Sequence, residues 1–327
     1  MAIVESHLRV DISGGTLDLW PLFNFVGGAK TINAAVNLKA SCEFELKNNS
    51  EVEIHITNLN YIKKFNELKD FKKSNDRELD ILKPVIDNYN FKSGFKLVTR
   101  SESPVGGGLG GSSTLLVSII RCIDLVLGLK RNEAQTVDLA CNIESKILNS
   151  PAGTQDYFQA VEAGLSLITY DFEGRGRQFF KSPWLEKQKE NFKLIYSGHP
   201  HHSGLNNWRI FQKCVDGDKD TLSILKDLKI VSDEVYVDLT TGSGSKMSDL
   251  LNEELKLRRR LATGYINDPL ERVIQFLEKL DVRHFKICGA GGGGCMWALV
   301  PEDLSSELKK VESLHSEIKV LKSELIL

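Results

Sequence analysis

The chain has 327 residues, of which 41% are hydrophobic and 26% are charged, and its formal net charge is −2 at pH 7. This composition is typical of a globular protein with one large or two medium-sized cores. Such a near-neutral balance argues against a nucleic acid or an anionic membrane as the main partner, because those partners require a clustered basic excess.

The cysteines and the N-terminal residues favour a cytoplasmic location. Six cysteines occur without a CxxC pair, and most stand in apolar stretches, which predicts buried, reduced thiols. The N-terminus lacks a basic segment followed by an apolar core, so we expect no signal peptide. No apolar run reaches the ~18 residues that a membrane-spanning helix needs.

The predicted elements mix strands and helices without a regular β-α-β alternation, which favours an α+β fold. Strands are predicted at residues 3–12, 31–46, 52–57, 95–99, 165–170, 192–196, 283–288 and 295–300. Helices are predicted at residues 61–90, 112–127 and 133–148 and over most of 203–280, with a final helix and strand after residue 300. The charged run 253–260 is interpreted as a solvated helix face. We place a domain boundary near residue 170, giving domains 1–170 and 171–327.

The strongest motif is a glycine-rich run over residues 104–114, PVGGGLGGSST. Its glycines allow positive φ and a close approach of the backbone to a ligand. A long helix follows directly, so the free N–H groups at its start favour an anion. We expect one of Ser112 and Ser113 to cap this helix and the other to offer a hydroxyl to a phosphate or to Mg²⁺. A flexible turn before a serine-capped helix is the structural alternative.

Two other phosphate-binding motifs fit the chain less well. A Walker A loop requires Gly-Lys-Ser/Thr, which this sequence does not contain. The spacing of Gly106, Gly108 and Gly111 matches the dinucleotide fingerprint GxGxxG. That fingerprint should lead to a second strand ending in an acidic residue, whereas here two predicted helices follow. The dinucleotide reading is therefore weak.

A second glycine-rich run, residues 289–294, lies between two predicted strands. A hairpin needs one or two glycines, so this run predicts a loop that lies flat against the first loop or a substrate, with a generous hairpin as the alternative. Glu144 on a helix and Asp156 after a Pro/Gly turn are candidate functional carboxylates. Spacing alone favours a surface carboxylate or a helix cap over a functional role. The histidines of segment 198–203 have poor metal-ligand spacing.

Three motifs in order make the chain resemble the GHMP kinase family (galactokinase, homoserine kinase, mevalonate kinase and phosphomevalonate kinase). Residues 104–114 resemble the second motif of the family and 286–295 the third, while 8–19 (LRVDISGGTLDL) look like the first. The string Gly153-Thr154-Gln155-Asp156 is closest to the branch of heptose-7-phosphate kinases and fucokinases. The resemblance implies a two-domain α+β fold, with an N-terminal ATP-binding domain like domain 2 of ribosomal protein S5 and a ferredoxin-like C-terminal domain.

The resemblance also implies a role for each matching residue. Asp156 would be the catalytic aspartate with Arg9 beside it, and Ser112 and Glu144 would bind Mg²⁺. Residues implied to contact the sugar are Gly15, Thr16, Asp18, Gly291 and Gly292. Residues implied to hold the phosphates of ATP are Pro104, Gly106, Gly107, Gly108, Leu109, Gly110, Gly111, Ser112 and Ser113.

Two departures from the family pattern concern the acceptor. Leu17 separates Thr16 from Asp18, where that branch usually has consecutive Thr-Asp. Histidines stand in segment 198–203, where relatives often have an arginine that helps to hold an anionic substrate, and this slightly favours a neutral sugar. We expect an ATP- and Mg²⁺-dependent kinase for the anomeric hydroxyl of a sugar or sugar phosphate, with a homodimer as an allowed assembly. Alternatives are a kinase for a mevalonate-like alcohol, an inactive nucleotide-binding regulator and, third, an NAD-binding oxidoreductase.

Overall fold

The computed structural model describes residues 1–200 and 203–327. His201 and His202, part of the histidine segment considered above, lie outside the described residues. The strands are β1 (Ala2–Ser13), β2 (Ala29–Leu46), β3 (Val52–Ile56), β4 (Tyr61–Phe65), β5 (Phe95–Ser101), β6 (Leu165–Tyr170), β7 (Arg175–Phe179), β8 (Phe192–Tyr196), β9 (Phe285–Ile287), β10 (Cys295–Leu299), β11 (Lys319–Leu321) and β12 (Leu325–Ile326).

Helices connect and cover these strands. The α-helices are α1 (Leu22–Phe25), α2 (Leu68–Lys73), α3 (Leu82–Asp87), α4 (Gly111–Leu127), α5 (Glu133–Leu148), α6 (Gln155–Val161), α7 (Pro183–Lys187), α8 (Ser203–Val215), α9 (Lys219–Thr241), α10 (Met247–Leu261), α11 (Asp268–Lys279) and α12 (Ser305–Leu314). Short 3₁₀ helices span Thr57–Leu59, Arg77–Leu79, Lys189–Asn191 and Glu302–Leu304. Nowhere in residues 1–200 and 203–327 is a helix both long and apolar enough to cross a membrane.

A large mixed sheet is built around the long strand β2. Its order is β4-β3-β5-β2-β6-β7, and β1 and β12 also pair with β2. Strands β3 and β5 are parallel to each other. All other strand pairs that the described residues form in this sheet are antiparallel. Helices α4 and α6 pack on β1 and β2, which brings the start of α4 and the start of α6 close to Arg9 on β1.

A smaller antiparallel sheet has the order β11-β8-β10-β9. The second glycine run connects β9 to β10, as the sequence predicts. Helix α10 packs on α9 and on β9, so its charged side chains reach toward the N-terminal strand. The domain division at residue 170 stays a prediction. Strand β7 belongs to the large sheet, and β12 returns to it.

Most predicted elements are confirmed, but the helix predicted over residues 61–90 is partly wrong. Residues 61–65 form β4, which pairs with β3. Tyr61 and Lys63 are partly buried, Ile62 and Lys64 are exposed, and Phe65 is buried. This alternation is the period of a strand, and only the residues after it form α2 and α3. All six cysteines are free, and five of them are buried, with Cys141 partly buried.

The charged helix α10 contradicts the interpretation of residues 253–260 as a solvated face. Glu254 and Arg258 are 1% and 2% exposed, whereas Arg259 and Arg260 are exposed. Glu254 and Arg258 stand four residues apart and therefore share one face of the helix. That face is turned into the protein, because it meets oppositely charged groups there.

Candidate active site

A cavity of about 410 Å³ lies between the two glycine-rich loops and the starts of α4 and α6. It is lined by all but three of the residues assigned to the site by sequence. These lining residues are Arg9, Gly15, Thr16, Asp18, Pro104, Gly106, Gly107, Gly108, Gly110, Gly111, Ser112, Ser113, Glu144 and Asp156. Leu109 is instead fully buried in the core, and Gly291 and Gly292 are described below.

Arg9 and Asp156 form an ion pair at one side of the cavity. Nη2 of Arg9 lies 2.5 Å and Nε 2.7 Å from Oδ1 of Asp156. Nη1 of Arg9 donates to the carbonyl of Gly108 at 2.7 Å, so one guanidinium joins β1, α6 and the first glycine loop. Burial acts to lower the pKa of Arg9, but Asp156 and then Asp11 outweigh burial and raise it. Arg9 is therefore a permanent cation at this site.

Asp156 lines the cavity, and its second carboxylate oxygen, Oδ2, lies 3.4 Å from Oγ of Ser113. Its side chain is 20% exposed, whereas that of Arg9 is 4% exposed. A Cβ atom on Gly110 would lie 2.9 Å from Cγ of Asp156. Gly110 also has a φ of 70° and is the residue at which α4 is capped. Glycine at this position thus allows both the left-handed turn and the close approach of Asp156.

Glu144 lies beside the two serines at the start of α4. Oγ of Ser113 donates to Oε2 of Glu144 at 2.7 Å and lies 3.4 Å from Oδ2 of Asp156. The hydroxyl of Tyr157 donates to the same oxygen of Glu144. Burial is the main cause that raises the pKa of Glu144. Ser112 is exposed at the cavity. The expectation that a serine caps α4 is wrong, because Gly110 takes that position and no side chain caps the helix.

Asp18 is a buried residue that lines the cavity. Its Oδ2 accepts a hydrogen bond from the backbone of Gln155 at 3.2 Å. A Cβ on Gly153 would lie 2.1 Å from that same oxygen, so the glycine before Thr154-Gln155-Asp156 makes room for the carboxylate. Burial, and next the charge of Asp156, raise the pKa of Asp18 to about 6.

The turn before Asp18 accommodates the extra residue Leu17. Thr16 has a φ of 74°, and the backbone of Leu17 donates to the carbonyl of Gly14 at 3.1 Å. Leu17 is fully buried in the core. Asp18 consequently still reaches the cavity despite the departure from the family pattern.

The second glycine run lies against the first, which confirms one of the two contacts expected for it. The backbone of Cys295 donates to the carbonyl of Gly107 at 2.8 Å. A Cβ on Gly108 would lie 2.5 Å from the carbonyl oxygen of Cys288. Any side chain at Gly108 would therefore separate the loops.

The residues of the second run that line the cavity are Gly289 and Ala290. The two glycines assigned to substrate by sequence, Gly291 and Gly292, contact Tyr265 instead. A Cβ on Gly291 would lie 2.2 Å from the ring of Tyr265, and the backbone of Gly292 donates to the carbonyl of Tyr265 at 2.7 Å. Their placement fits support of the loop rather than contact with an acceptor.

A buried set of charges behind the cavity was missed by sequence reasoning. We call it the inner charge cluster, and it consists of Asp11, Glu254, Arg258 and Lys286, all at most 5% exposed. Nζ of Lys286 donates to Oδ2 of Asp11 and lies 3.4 Å from Oε1 of Glu254. Nη2 of Arg258 lies 2.8 Å from Oε1 of Glu254. The cluster thus links β1, α10 and β9.

Mutual pairing keeps these groups charged despite burial. Burial alone would raise the pKa of Asp11, but Lys286, followed by Arg9 and Arg258, outweighs it and lowers that pKa to about 2. Burial would likewise raise the pKa of Glu254, yet Lys286 and Arg258 lower it. The sequence signal was the four-residue spacing of Glu254 and Arg258. No local pattern marks Asp11 or Lys286 as their partners.

The cavity also has apolar lining residues that were not predicted. Besides the polar side chains of Asn58 and Ser103, these are Ile81, Leu115 and Leu148. These residues come from the segment before α3, from α4 and from the end of α5. A flat, partly polar ring system suits such a lining.

Comparisons with known proteins agree with this fold and site. The model of the GHMP kinases N terminal domain matches residues 77–164, and that of the GHMP kinases C terminal domain matches residues 237–320. Together these matches cover just over half of the chain. The chain belongs to the GHMP kinase family, whose members are ATP-dependent phosphotransferases, and the predicted α+β fold of that family is confirmed.

Individual relatives are distant. The chain is 24% identical over 323 residues to the D-glycero-alpha-D-manno-heptose 7-phosphate kinase of Campylobacter jejuni, covering 96% of this chain and 93% of that protein. It is 21% identical over 336 residues to the bifunctional fucokinase/GDP-fucose pyrophosphorylase of Arabidopsis thaliana, covering 97% of this chain and 32% of that protein. A crystal structure of a D-glycero-D-manno-heptose 1-phosphate kinase from Bacteroides thetaiotaomicron has a TM-score of 0.77 at 20% identity, covering 99% of this chain and 96% of that one. That structural similarity concerns the fold.

Proposed function

We propose that this kinase transfers the γ-phosphate of ATP, bound with Mg²⁺, to the anomeric C1 hydroxyl of a sugar or sugar phosphate. The observation that carries the proposal is the position of Asp156. One of its oxygens is held by Arg9 at 2.5 Å, and its side chain lines a cavity that Asp18 and the first glycine loop also line. A base, a phosphate cradle and an acceptor for sugar hydroxyls therefore converge on one space.

The nucleotide would lie along the first glycine loop. The start of α4 offers free backbone N–H groups and the positive end of the helix dipole to the phosphates. The apolar lining residues Ile81, Leu115 and Leu148 suit the adenine ring. We expect the γ-phosphate to point toward Asp156.

The residues beside Asp156 fit a magnesium ion. Mg²⁺ in kinases keeps several waters and binds through one or two carboxylates and phosphate oxygens. Ser113 and Glu144 supply a hydroxyl and a carboxylate 2.7 Å apart, and Ser112 stands next to them at the cavity. No cluster of three or more His, Cys, Asp and Glu side chains suited to a metal occurs in the described parts of the chain. When bound, Mg²⁺ neutralises charge on the β- and γ-phosphates.

Phosphoryl transfer then requires a positioned hydroxyl and a destination for its proton. The acceptor oxygen forms a bond to the γ-phosphorus, the bond from that phosphorus to the β,γ-bridging oxygen breaks, and ADP leaves. Oδ2 of Asp156 receives the hydroxyl proton, while Arg9 keeps Oδ1 fixed. Asp156 also orients the hydroxyl, and this positioning supplies much of the rate enhancement.

Two considerations favour a sugar as the acceptor. A buried carboxylate such as Asp18 accepts hydrogen bonds from adjacent hydroxyls, which sugars offer in pairs. The relatives described above are named as kinases of a heptose phosphate and of fucose. The first consideration rests on this chain's own residues, and the second on similarity.

The proposal is tested by incubating the protein with Mg-ATP and a panel of acceptors. The panel contains hexoses, fucose, heptoses, heptose 7-phosphate, mevalonate and homoserine, and ADP release is followed with mass analysis of the product. We expect turnover with at least one sugar or sugar phosphate and a phosphate at C1. Turnover with mevalonate or homoserine alone would replace the sugar by a non-sugar alcohol, and ATP binding without any turnover would indicate a regulator.

A further inference from the structure

We propose that Arg258 is a positioning residue that holds the turn of residues 14–16 in the shape needed by the acceptor. This inference rests on the proposed function for the meaning of that turn. Nη2 of Arg258 donates to the carbonyl of Gly15 at 2.8 Å, and Nη1 donates to Oγ1 of Thr16 at 3.3 Å. Gly15 and Thr16 both line the cavity, and the turn leads directly into Asp18.

The turn has a conformation that needs external support. Thr16 has a φ of 74° and Gly14 one of 84°. The left-handed region is unfavourable for a β-branched residue such as threonine. The two hydrogen bonds from Arg258 act on this strained residue and on the one before it. Release of these bonds would let Thr16 relax and move Asp18 away from its place under the acceptor.

Arg258 is itself held by Glu254 and packs against Tyr265. Its Nε donates to Oε1 of Glu254 at 2.8 Å, and Glu254 accepts a bond from Ser13 at 2.7 Å. The guanidinium carbon lies 5.8 Å from the centre of the Tyr265 ring, against which Gly291 is packed. One side chain therefore connects the acceptor turn to the support of the second glycine loop.

The contacts need the shape of a guanidinium as well as its charge. Arg258 donates hydrogen bonds to Glu254, Gly15 and Thr16 at once, through three nitrogen atoms fixed in one plane. A lysine offers a single ammonium group, which can pair with Glu254 but cannot reach all three acceptors in this fork geometry. Lysine at this position thus separates the role of the charge from the role of the shape.

The experiment compares Arg258→Lys and Arg258→Gln with wild type, and uses Arg259→Gln as a matched control. Arg259 is on the same helix but is 47% exposed and pairs with Glu271 at 3.0 Å. Four quantities are measured: KM for the acceptor with the highest turnover in the panel, KM for ATP, melting temperature, and hydrogen exchange of residues 13–20.

We expect Arg258→Lys to raise the acceptor KM about 10-fold or more while the ATP KM stays within about twofold, since a misplaced binding group acts only on its own ligand. Exchange in residues 13–20 should increase in both Arg258 variants and stay unchanged in Arg259→Gln. The melting temperature should change little in Arg258→Lys, because Glu254 remains paired.

The inference is overturned if Arg258→Lys behaves like wild type in acceptor KM and in exchange, because the charge alone would then suffice. It is also overturned if both KM values rise together. Should Arg258→Gln fail to fold, Arg258→Lys still decides. Should wild type phosphorylate no acceptor, the proposed function fails, and the exchange of residues 13–20 alone decides on Arg258.

Discussion

Two neighbouring sets of charges differ in their balance. The cavity-facing set, Arg9, Asp18, Glu144 and Asp156, has three carboxyl groups and one guanidinium, and all four residues line the cavity. The inner charge cluster has two carboxylates and two cations and is almost fully buried. An excess of acidic groups suits the proposed Mg²⁺ site, whereas a buried set is stable only when its charges are paired. Charged residues of similar types thus line the proposed catalytic site in the first set and stabilise the fold in the second.

The comparison predicts that a change in the cavity-facing set abolishes turnover without unfolding the protein. Asp156→Asn removes the proton acceptor but preserves the shape of the side chain. We expect kcat to fall about 10²–10⁴-fold while the ATP KM stays within about threefold. ADP release under steady-state conditions measures both. Asp216→Asn, which changes an exposed carboxylate, is the control, and equal turnover in the two variants would contradict the role of Asp156.

The inner charge cluster predicts the opposite outcome. Lys286→Met leaves Asp11 and Glu254 buried without their shared cation. We expect this to lower the free energy of unfolding by about 3–5 kcal/mol, because an uncompensated buried charge is costly. Urea denaturation followed by circular dichroism measures it.

The matched control for Lys286 is Lys310→Met. Lys310 is 62% exposed and pairs with Glu307 on the surface of α12, where removal of the partner should cost about 0–1 kcal/mol. Equal losses of unfolding free energy in the two lysine variants would show that the buried cluster depends on its cation no more than a surface ion pair does.

The smallest effect is expected at Asp18, a deeply buried acid of the cavity-facing set. Its pKa rises from 3.8 to about 6 on folding, so ionisation disfavours the folded state. Asp18→Asn should therefore be more stable than wild type at pH 8, by about 1–3 kcal/mol. The gain should shrink as the pH falls from 6 to about 3, below the unfolded-state pKa of 3.8, where the wild-type carboxyl is largely neutral in both states. A gain that persists at about pH 3 would assign the effect to packing instead.

Local sequence patterns predict the elements that hold the phosphate loop. The helix expected over residues 133–148 is observed as α5 (Glu133–Leu148), with a capping box formed by Asn132 and Gln135. The second glycine run was expected to lie against the first, and it does. Such features follow from helical periodicity and from the conformational freedom of glycine, and both can be read from a short stretch of sequence.

The inner charge cluster shows what local patterns omit. Glu254 and Arg258 look like an exposed i, i+4 pair, and their burial depends on Ser13 and Lys286, which lie far away in the chain. Ser13 and Glu254 are separated by 241 positions. Since the cost of burying a charge is set by such partners, a single sequence read segment by segment cannot distinguish a solvated helix face from this one.

The short strand β12 has a consequence for how the protein is made. Leu325 and Ile326 pair with Val36 and Ala35 on the central strand β2, and the backbone of Asn37 donates to the carbonyl of Glu324 at 3.0 Å. During synthesis, nearly three hundred residues after Val36 must be translated before β12 can pair with β2. Pairing over such a separation is slow because the intervening chain must first be ordered. A nascent chain should thus keep this part of β2 open to solvent until translation has passed residue 326.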